Sequence, residues 1–359
     1  MFQWQKVEKL AQPVTFIYRV DGGKHLGGGH ILKAKILIDE CRRRRLPFRF
    51  VVVIKEDALG IRHARRIHLP LRVMPDRLPR NKEPDWMIRQ FPDLPRSVMV
   101  LDILDVGRAY VRRLRRAGAR VITLENNGTS QNDAHVTVNA LVSGIRNRKV
   151  ITRGGRFLSG ANYRVFHPDY SGSVRDQRIR RQVKKILISL GAGDVGNRAA
   201  QIAELLAARY PQTRVTCVLG PLQERRLKSS RPTVRYINSP PSLARLFRQA
   251  DVAVLGGGGT LYEAALMGVP VISLALKPHQ VRNIRFFQKA GTSLTAGLLN
   301  GRGIRRAVQL AGFLMKQYGL RDRMRRKGLL LCDGRGLERM VDLFQSEAKH
   351  VLANKKFNQ

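Results

Sequence analysis

The chain has 359 residues and a formal net charge of +41 at pH 7, with 67 lysines and arginines against 26 aspartates and glutamates. At about 150 residues per domain, this length predicts two domains. So strong a positive charge predicts an anionic partner, namely nucleic acid, a membrane surface or a phosphorylated metabolite, unless the charge is a general surface property. Nucleic acid is disfavoured because the sequence contains no zinc finger, RNP-like aromatic motif or helix-turn-helix pattern.

The three cysteines, Cys41, Cys217 and Cys332, are widely spaced and form no CxxC pair. We therefore expect neither a disulfide framework nor a structural metal, and no other cofactor. No secretory signal pattern is present, and no stretch approaches the ~20 apolar residues of a membrane span. These features predict a cytoplasmic protein. Peripheral attachment to the inner face of the membrane is an alternative, because a basic surface can bind anionic lipid.

Apolar strand-like runs alternate with helix-like runs along most of the chain. In the first half, strands are predicted at residues 14–20, 48–54, 97–101 and 120–124, and helices at 31–43 and 106–117. In the second half, strands are predicted at 186–190, 215–219, 252–255 and 271–274, and helices at 199–210, 242–249, 260–267 and 283–290. This alternation is typical of an α/β fold with parallel sheets and right-handed crossovers.

The composition changes after Phe157, where a charged segment rich in turn residues separates the two series. We predict an N-terminal domain at residues 1–165, a linker at 166–185, a C-terminal domain at 186–345 and a tail at 346–359. Both domains are predicted to be doubly wound and Rossmann-like. If they face each other across a cleft, a ligand binds at the carboxyl ends of their strands.

Three glycine-rich turns follow predicted strands: Gly27-Gly28-Gly29-His30, Gly191-Ala192-Gly193-Asp194 and Gly256-Gly257-Gly258-Gly259-Thr260. Glycine lets backbone N–H groups approach an anion, and a helix N-terminus adds partial positive charge. Three such turns favour a diphosphate ligand. A nicotinamide dehydrogenase and a P-loop nucleotidase are disfavoured, because no turn fits the dinucleotide fingerprint and GxxxxGK[ST] is absent.

His30 is the candidate general base, because it begins a predicted helix after the first turn. The positive end of a helix favours a neutral imidazole, which can accept a proton from water or a hydroxyl. Asp21 or Arg19, close in sequence, could hold the histidine in place. The alternative is a capping or surface histidine.

Glu263 lies one helical turn after the third glycine turn and is the candidate ligand for the paired hydroxyls of a ribose. Thr260 can cap the helix and bind a phosphate oxygen. Thr260-x-x-Glu263 also has the spacing of a capping box, which is the structural alternative and is compatible with ribose binding. His279, Gln280 and Asn283 follow a predicted strand, where amides suit sugar or phosphate hydrogen bonds or ordinary loop contacts.

Taken together, these motifs resemble the PseG/SpsG-like branch of the GT-B nucleotide-sugar enzymes, which is related to the MurG-type glycosyltransferases. The opening pattern R-x-D-x(5)-G-x-G-H matches Arg19, Asp21, Gly27, Gly29 and His30. A mid-chain pattern matches Gly160, Tyr163, Pro168, Asp169 and Tyr170. The later loops match Ser189, Gly191, Gly193, Asp194, Asn197, Ala250, Asp251, Gly258, Gly259, Thr260, Glu263 and Gln280, whereas His279 replaces the usual asparagine. The resemblance covers about residues 13–345.

The resemblance implies a GT-B fold and an inverting UDP-sugar hydrolase of surface polysaccharide biosynthesis. Water would attack the anomeric carbon of an amino-deoxy sugar, as in pseudaminic acid synthesis, with His30 as base and Arg19 and Asp21 beside it. The expected substrate-binding residues are Gly27, Gly28, Gly29, Tyr163, Gly191, Gly193, Asp194, Asn197, Gly258, Gly259, Thr260, Glu263, His279, Gln280 and Asn283. The alternatives are a glycosyltransferase that uses a UDP-sugar donor, with an acceptor at an anionic membrane, and a basic nucleic-acid-binding protein.

Overall fold

The computed structural model describes residues 13–22, 28–126, 133–140, 155–170, 179–191, 194, 196–220, 227–278 and 280–353. The chain forms two compact units. The first unit comprises Met1–Ser159 and Leu337–Gln359, and the second unit comprises Gly160–Gly336. Each unit is built around one parallel sheet.

The described elements follow the alternation expected from the sequence. The strands are β1 Val14–Val20, β2 Phe48–Lys55, β3 Leu71–Met74, β4 Ser97–Asp102, β5 Arg120–Leu124, β6 Val136–Asn139, β7 Arg156–Ser159, β8 Lys185–Ser189, β9 Arg214–Leu219, β10 Val234–Asn238, β11 Val252–Gly256, β12 Val271–Ala275 and β13 Ser293–Leu298. The helices are α1 Gly29–Arg43, α2 Ala58–Arg66, α3 Glu83–Gln90, α4 Arg108–Arg116, α5 Arg198–Arg209, α6 Ala244–Gln249, α7 Thr260–Leu266, α8 Gln280–Lys289, α9 Gly301–Lys316, α10 Tyr318–Leu331 and α11 Gly336–Ala353.

Both sheets have the doubly wound strand order. The first is β3-β2-β1-β4-β5-β6-β7 and the second is β10-β9-β8-β11-β12-β13, and the paired strands are parallel. The central strands are apolar on both sides; in β1, Phe16, Ile17 and Tyr18 are fully buried. Helices cover both faces of such a sheet, which explains the continuous apolar runs. The predicted α/β class with two Rossmann-like domains is confirmed.

The strand order reverses at one point in each sheet, between β1 and β4 in the first unit and between β8 and β11 in the second. The loops that leave two such strands run to opposite sides of the sheet and open a crevice at the carboxyl ends of the strands. Each of the three glycine-rich turns follows a strand at one of these two positions: β1, β8 or β11.

The C-terminal residues pack differently from the predicted domain bounds. Residues from Leu337 onward belong to the first unit and not to a domain ending at residue 345, and residues 346–353 continue α11 instead of forming a tail. Phe344 packs on Phe16 of β1 at a ring-centroid distance of 5.0 Å. The fully buried Glu347 accepts hydrogen bonds from Arg120 and Arg156. This apolar and ionic attachment explains why α11 joins the first sheet.

The segment predicted as a linker also differs, because the second unit begins at Gly160 and includes residues 166–185. All three cysteines are buried and carry no disulfide. Among the residues that the structure describes, no helix combines the length and the apolar character needed to cross a bilayer.

Candidate active site

In the first unit, the parallel register brings His30 close to an acidic residue that is distant in sequence. Val20, the last residue of β1, pairs with Asp102, the last residue of β4. Helix α1 begins at Gly29, so His30 is its second residue. The two side chains meet at the carboxyl edge of the sheet, at the point where the strand order reverses.

The contact between His30 and Asp102 is a hydrogen bond of 2.8 Å between Nδ1 and Oδ1. Asp102 is fully buried, and its second oxygen accepts a hydrogen bond of 2.9 Å from the Tyr18 hydroxyl. The Lys33 ammonium lies 2.9 Å from Oδ1. Burial alone would raise the pKa of Asp102, but Lys33 and His30 lower it well below its ordinary range. Asp102 is therefore a carboxylate at neutral pH.

An ionised carboxylate can only accept hydrogen bonds, so Nδ1 of His30 donates to Asp102. In the neutral ring this contact fixes the tautomer, with the proton on Nδ1 and the lone pair on Nε2. The His30 side chain keeps 18% of its surface exposed, whereas Asp102 keeps none. The arrangement is that of a positioned general base, with a buried carboxylate that orients the ring and stabilises it once it is protonated.

Glu125 extends this cluster. Its carboxylate lies 3.3 Å from the Lys33 ammonium, so Lys33 bridges Glu125 and Asp102. One potential ligand atom from each of His30, Asp102 and Glu125 lies within 4.8 Å of the others, a spacing that could hold a metal ion. Because the Lys33 ammonium already pairs with both carboxylates, a divalent cation bound there would have to displace it.

Arg19 and Asp21 do not hold His30, in contrast to the prediction from their proximity in sequence. Arg19 is fully buried and pairs with Asp21 and with Glu83, and Arg80 also contacts Asp21. Burial alone would raise the pKa of Asp21, but Arg19 and Arg80 lower it. Residues alternate across a strand, so Arg19 points away from the face that Tyr18 and Val20 share. The orienting partner of His30 is Asp102, from the neighbouring strand.

Gly28 and Gly29, the two residues before His30, are glycine for different reasons. A Cβ at Gly28 would lie 3.2 Å from Nε2 of His63, so packing within the unit restricts this position. A Cβ at Gly29 would meet no heavy atom within 4 Å, and its φ is not positive. Neither packing nor backbone conformation explains a glycine at position 29. An open backbone at the start of α1 fits close approach by a ligand.

In the second unit, the glycine-rich turn after β11 also contains glycines that packing requires and glycines that it does not. Gly256 packs on the neighbouring strand end, where a Cβ would lie 2.5 Å from the carbonyl oxygen of Leu190. Gly259 faces the guanidinium of Arg164, which also stacks over the Tyr262 ring at 5.6 Å. A Cβ at Gly258 would meet nothing within 4 Å. The backbone at Gly258 is therefore open for a phosphate, with Arg164 adding positive charge beside it.

Glu263 lies on α7 and accepts a hydrogen bond of 2.7 Å from the hydroxyl of Tyr170, through Oε2. Tyr170 is buried at 2% exposure. Burial raises the pKa of Glu263, against the lowering effects of Tyr170, Arg164 and His167. The capping-box alternative is not formed, since α7 has Gly259 as its N-cap and no side-chain capping bond. Glu263 is held by a neutral phenol and keeps a second oxygen for a ligand.

Two residues of the Gly191 turn act within the protein. Asp194 accepts hydrogen bonds from the backbone N–H groups of Arg198 and Ala199 and so caps α5. Burial raises its pKa. Asn197 occupies the N-cap position with a left-handed φ of 58° and no side-chain capping bond. Gly191 has a φ of +83° and open space at its Cβ position. Among the described positions of this turn, Gly191 is the one best suited to ligand approach.

Helix α8, which follows β12, supports the glycine-rich turn after β11. Asn283 donates a hydrogen bond of 2.7 Å to the Gly257 carbonyl, and Gln280 accepts one of 2.8 Å from the Leu276 N–H. Thr260 is the first residue of α7, and Tyr163 ends a short 3₁₀ turn next to Arg164. The remaining predicted positions, Gly27, Gly193 and His279, lie outside the described residues.

Four members of the first-unit cluster were not predicted from the sequence: Tyr18, Lys33, Asp102 and Glu125. Asp102 had a readable signal, since it ends an apolar strand, and strand ends at the switch point line the crevice. Lys33 is three residues after His30 on α1 and thus on the same helix face. Tyr18 had no signal, because a buried tyrosine on a strand is ordinary core until its hydroxyl partner is known.

The comparisons with known proteins agree with this architecture. No family model matches the chain. The spore coat polysaccharide biosynthesis protein SpsG of Bacillus subtilis (strain 168) is 26% identical over 337 residues, covering 90% of this chain and 96% of SpsG. MurG of Acinetobacter baumannii has a TM-score of 0.64 at 14% identity, over 93% of this chain and all of MurG. The complex of S. aureus MnaA with UDP has a TM-score of 0.59 at 12% identity, over 92% and 96% of the two chains.

Proposed function

Because the chain is SpsG/MurG-like and has a two-domain, Rossmann-like GT-B fold, we propose that it is a nucleotide-sugar-using enzyme of glycan biosynthesis. Its substrate is a UDP-sugar, and it breaks the bond between the anomeric carbon and the diphosphate. The leading form of the proposal is hydrolysis with inversion. Likeness to a coat-polysaccharide protein and to a UDP-bound structure supports the substrate class.

The observation that carries the proposal is the hydrogen bond between His30 and the buried Asp102. Nε2 takes a proton from a water molecule as the water oxygen forms a bond to the anomeric carbon. The bond from that carbon to the diphosphate oxygen breaks, and UDP leaves with the electron pair. A single displacement from the opposite face inverts the anomeric configuration. Asp102 stabilises the imidazolium that forms, which is its contribution as a positioning residue.

The second unit supplies the nucleotide site in this proposal. Glu263 accepts hydrogen bonds from the ribose hydroxyls, oriented by Tyr170. The open backbone at Gly258 approaches the diphosphate, and Arg164 beside Gly259 offsets part of the negative charge that develops on the leaving group. Positioning and charge stabilisation of this kind lower the barrier to breaking the bond.

A glycosyltransferase is the second candidate, and the hydrogen bond between His30 and Asp102 also favours it. A base at Nε2 of His30 can deprotonate a sugar hydroxyl as well as a water molecule, and the bond changes at the anomeric carbon are otherwise identical. Hydrolysis and glycosyl transfer differ in the nucleophile that attacks the anomeric carbon, which is water in the first reaction and a sugar hydroxyl in the second. An amino-deoxy sugar is the first substrate to test, because the sequence motifs resemble those of PseG-like enzymes.

The test is UDP release from a panel of UDP-sugars that includes 2,4-diacetamido-2,4,6-trideoxy sugars, with and without candidate acceptors. Release without an acceptor supports hydrolysis, and NMR of the first-formed anomer tests inversion. Release that requires an acceptor supports the transferase. The His30→Asn variant is the control for a contaminating activity. If the folded protein neither binds UDP nor releases it from any sugar of the panel, the proposed substrate class is wrong.

A further inference from the structure

Lys33 and Glu125 adjoin the pair formed by His30 and Asp102 but take no part in the bond changes proposed above. The Lys33 ammonium lies 2.9 Å from Oδ1 of Asp102, the same oxygen that accepts the hydrogen bond from Nδ1 of His30. The ammonium and the imidazole are therefore neighbours through one oxygen atom. The Lys33 side chain keeps 11% of its surface exposed and that of Glu125 keeps 7%, so water and salt screen their charges only weakly.

Glu125 reaches Lys33 through an unfavourable backbone conformation. It follows β5 with a φ of 51°, in the left-handed region that residues other than glycine rarely adopt. Leu101 of β4 pairs with Thr123 of β5, so an extended Glu125 would point to the opposite face from Asp102. The left-handed turn instead places its carboxylate 3.3 Å from the Lys33 ammonium.

The turn that carries Glu125 is held on both sides. Its backbone N–H donates a hydrogen bond of 2.8 Å to the carbonyl of Val138 on β6. The next residue, the buried Asn126, accepts a hydrogen bond of 2.9 Å from the backbone N–H of Val106. Strain that the surroundings hold in place is typical of functional positions. A glycine would relieve the strain but would remove the carboxylate, so the conformation points to a role for that carboxylate.

The charges of this cluster decide how readily His30 takes up a proton. Lys33, Asp102 and Glu125 together leave one net negative charge beside a neutral imidazole. Without the ammonium, two carboxylates would act on the ring and favour the imidazolium, which cannot act as a base. Without Glu125, the ammonium would disfavour the imidazolium and weaken the base.

Tyr18 and His63 also lie near this cluster, and both are uncharged at neutral pH. The Tyr18 hydroxyl on β1 donates to the second oxygen of the carboxylate that holds His30, and burial raises the pKa of Tyr18 well above its ordinary value. His63 on α2 packs against Gly28, and burial together with Arg66 lowers its pKa. The charges that act most directly on His30 therefore belong to the cluster itself.

We propose that Lys33 and Glu125 are positioning residues that set the proton affinity of His30 through opposite charges. Lys33 lowers that affinity, so that Nε2 is free to accept a proton at neutral pH. Glu125 limits the lowering, so that the imidazole remains a sufficient base. This inference rests on the proposed function, in which His30 is the general base, and assigns to two further residues the pH range in which that base works.

The test combines the pH dependence of UDP release with the pH titration of the His30 ring followed by NMR. The ring signal is assigned by its loss in His30→Asn. In Lys33→Met, we expect the acid limb of the rate profile and the ring titration to move up by about 1 pH unit. In Glu125→Gln, both should move down by about 0.5 pH unit. The double variant should lie within about 0.3 pH unit of wild type, because the two charges removed have opposite signs.

Two variants serve as controls for the loss of charge. Lys35→Met removes a lysine of the same helix whose ammonium pairs with Asp39, outside the cluster, and it should move the ring titration by less than about 0.2 pH unit. Lys33→Arg keeps the charge and should titrate within about 0.3 pH unit of wild type. All measurements are repeated with EDTA. A wild-type profile that moves on adding EDTA would show that a divalent cation supplies the charge assigned to Lys33, and the proposal would be wrong.

The NMR titration keeps this inference separate from the proposed function. Opposite shifts in a protein that releases no UDP would support the charge pair and contradict the proposed reaction. Turnover that falls at every pH in Lys33→Met and Glu125→Gln, with an unmoved ring titration, would overturn the inference and leave both residues with a structural role. If Lys33→Met does not fold, Glu125→Gln decides alone, since its amide preserves the shape of the side chain and an unmoved titration contradicts the proposal.

Discussion

Two carboxylates, the buried Asp102 in the first unit and the partly buried Glu263 in the second, have opposite electrostatic surroundings. Asp102 contacts Lys33 and His30, which together overcome the effect of burial and lower its pKa. Glu263 has a neutral phenol, Tyr170, as its direct hydrogen-bond partner, and burial raises its pKa. Asp102 ends β4 and Glu263 lies on the helix after β11, and both strands lie where the strand order of their sheet reverses, so the difference lies in the partners and not in the fold.

The difference in electrostatic surroundings indicates different roles for the two carboxylates. The charge of Asp102 is offset by the adjacent Lys33 ammonium, and its oxygens accept hydrogen bonds from His30 and Tyr18, so this carboxylate is suited to orient His30. A carboxylate held by a neutral donor retains its charge and its second oxygen. Glu263 is therefore suited to bind hydroxyl groups that enter from solvent, since hydrogen bonds to an ionised acceptor are the stronger kind.

The largest effect is expected for His30→Asn. Asparagine has no group that takes up a proton at neutral pH, so UDP release should fall about 100-fold or more. UDP affinity, measured by calorimetry, should stay within about twofold, because the ribose and phosphate contacts assigned to the second unit are untouched. A folded variant with nearly normal turnover would return His30 to the role of a helix-start residue.

Asp102→Asn should have the next largest effect. The amide can donate to Nδ1, which favours the tautomer whose Nε2 carries the proton and cannot act as base. We expect turnover to fall roughly 10- to 100-fold and the acid side of the pH–rate profile to move, with UDP affinity unchanged.

Tyr18→Phe is the matched control for Asp102. It removes the hydrogen bond to the other oxygen of the same carboxylate and preserves the ring packing and the charge. Stability should fall by about 1 kcal/mol, measured by denaturant unfolding, with turnover within about threefold of wild type. Equal losses of turnover in both variants would mean that Asp102 acts only by supporting the fold.

These two regions also differ in how much of them could be read from the sequence. The glycine turns and their helices were predictable, because each follows an apolar strand. Asp102 was not assigned to His30, since a contact across 72 positions depends on strand order and register. Proximity in sequence favoured Asp21, yet alternation along β1 turns Arg19 and its partner Asp21 toward Glu83. Gln280 and Asn283 were assigned to substrate, whereas their described contacts brace the turn.

Several elements that were not predicted from the sequence are short, half-exposed or interrupted by glycine. β7 and β10 have no fully buried residue, so their apolar signal is weak. Gly303 and Gly312 weaken the helical pattern of α9, although Gly312 makes room for the Tyr210 hydroxyl. Asp251, a motif residue, proved structural, accepting the N–H groups of Lys184 and Lys185 at the start of β8.

Glu263→Gln tests the other side of the comparison. The amide keeps the shape but loses the charge, and it can donate as well as accept, so UDP binding should weaken by about 1–3 kcal/mol. Turnover at saturating substrate should change much less than in His30→Asn. Calorimetry with UDP and with 2′-deoxy-UDP should show a smaller loss for the deoxy ligand. Unchanged UDP affinity in the folded variant would mean that Glu263 has no contact with the ribose.

Tyr170→Phe should have a smaller effect on UDP affinity than Glu263→Gln. It removes the hydroxyl that fixes Oε2 of Glu263 and leaves the ring, so UDP affinity should fall by about 0.5–1.5 kcal/mol. In the double variant with Glu263→Gln, the two losses should not add, because residues in direct contact are coupled. Additive losses would show that Tyr170 supports the fold independently of Glu263.

The smallest effect is a pH dependence that separates the two carboxylates. Burial raises the pKa of Glu263, whereas Lys33 and His30 lower that of Asp102, so Glu263 takes up a proton before Asp102 as the pH falls. A protonated carboxyl is a weaker acceptor, and affinity should therefore decline as pH falls toward about 5. Uridine is the suitable ligand because it carries no titrating phosphate. We expect about a threefold loss between about pH 7 and pH 5 in wild type and none in Glu263→Gln. An equal decline in both proteins would assign the titration to a group other than Glu263.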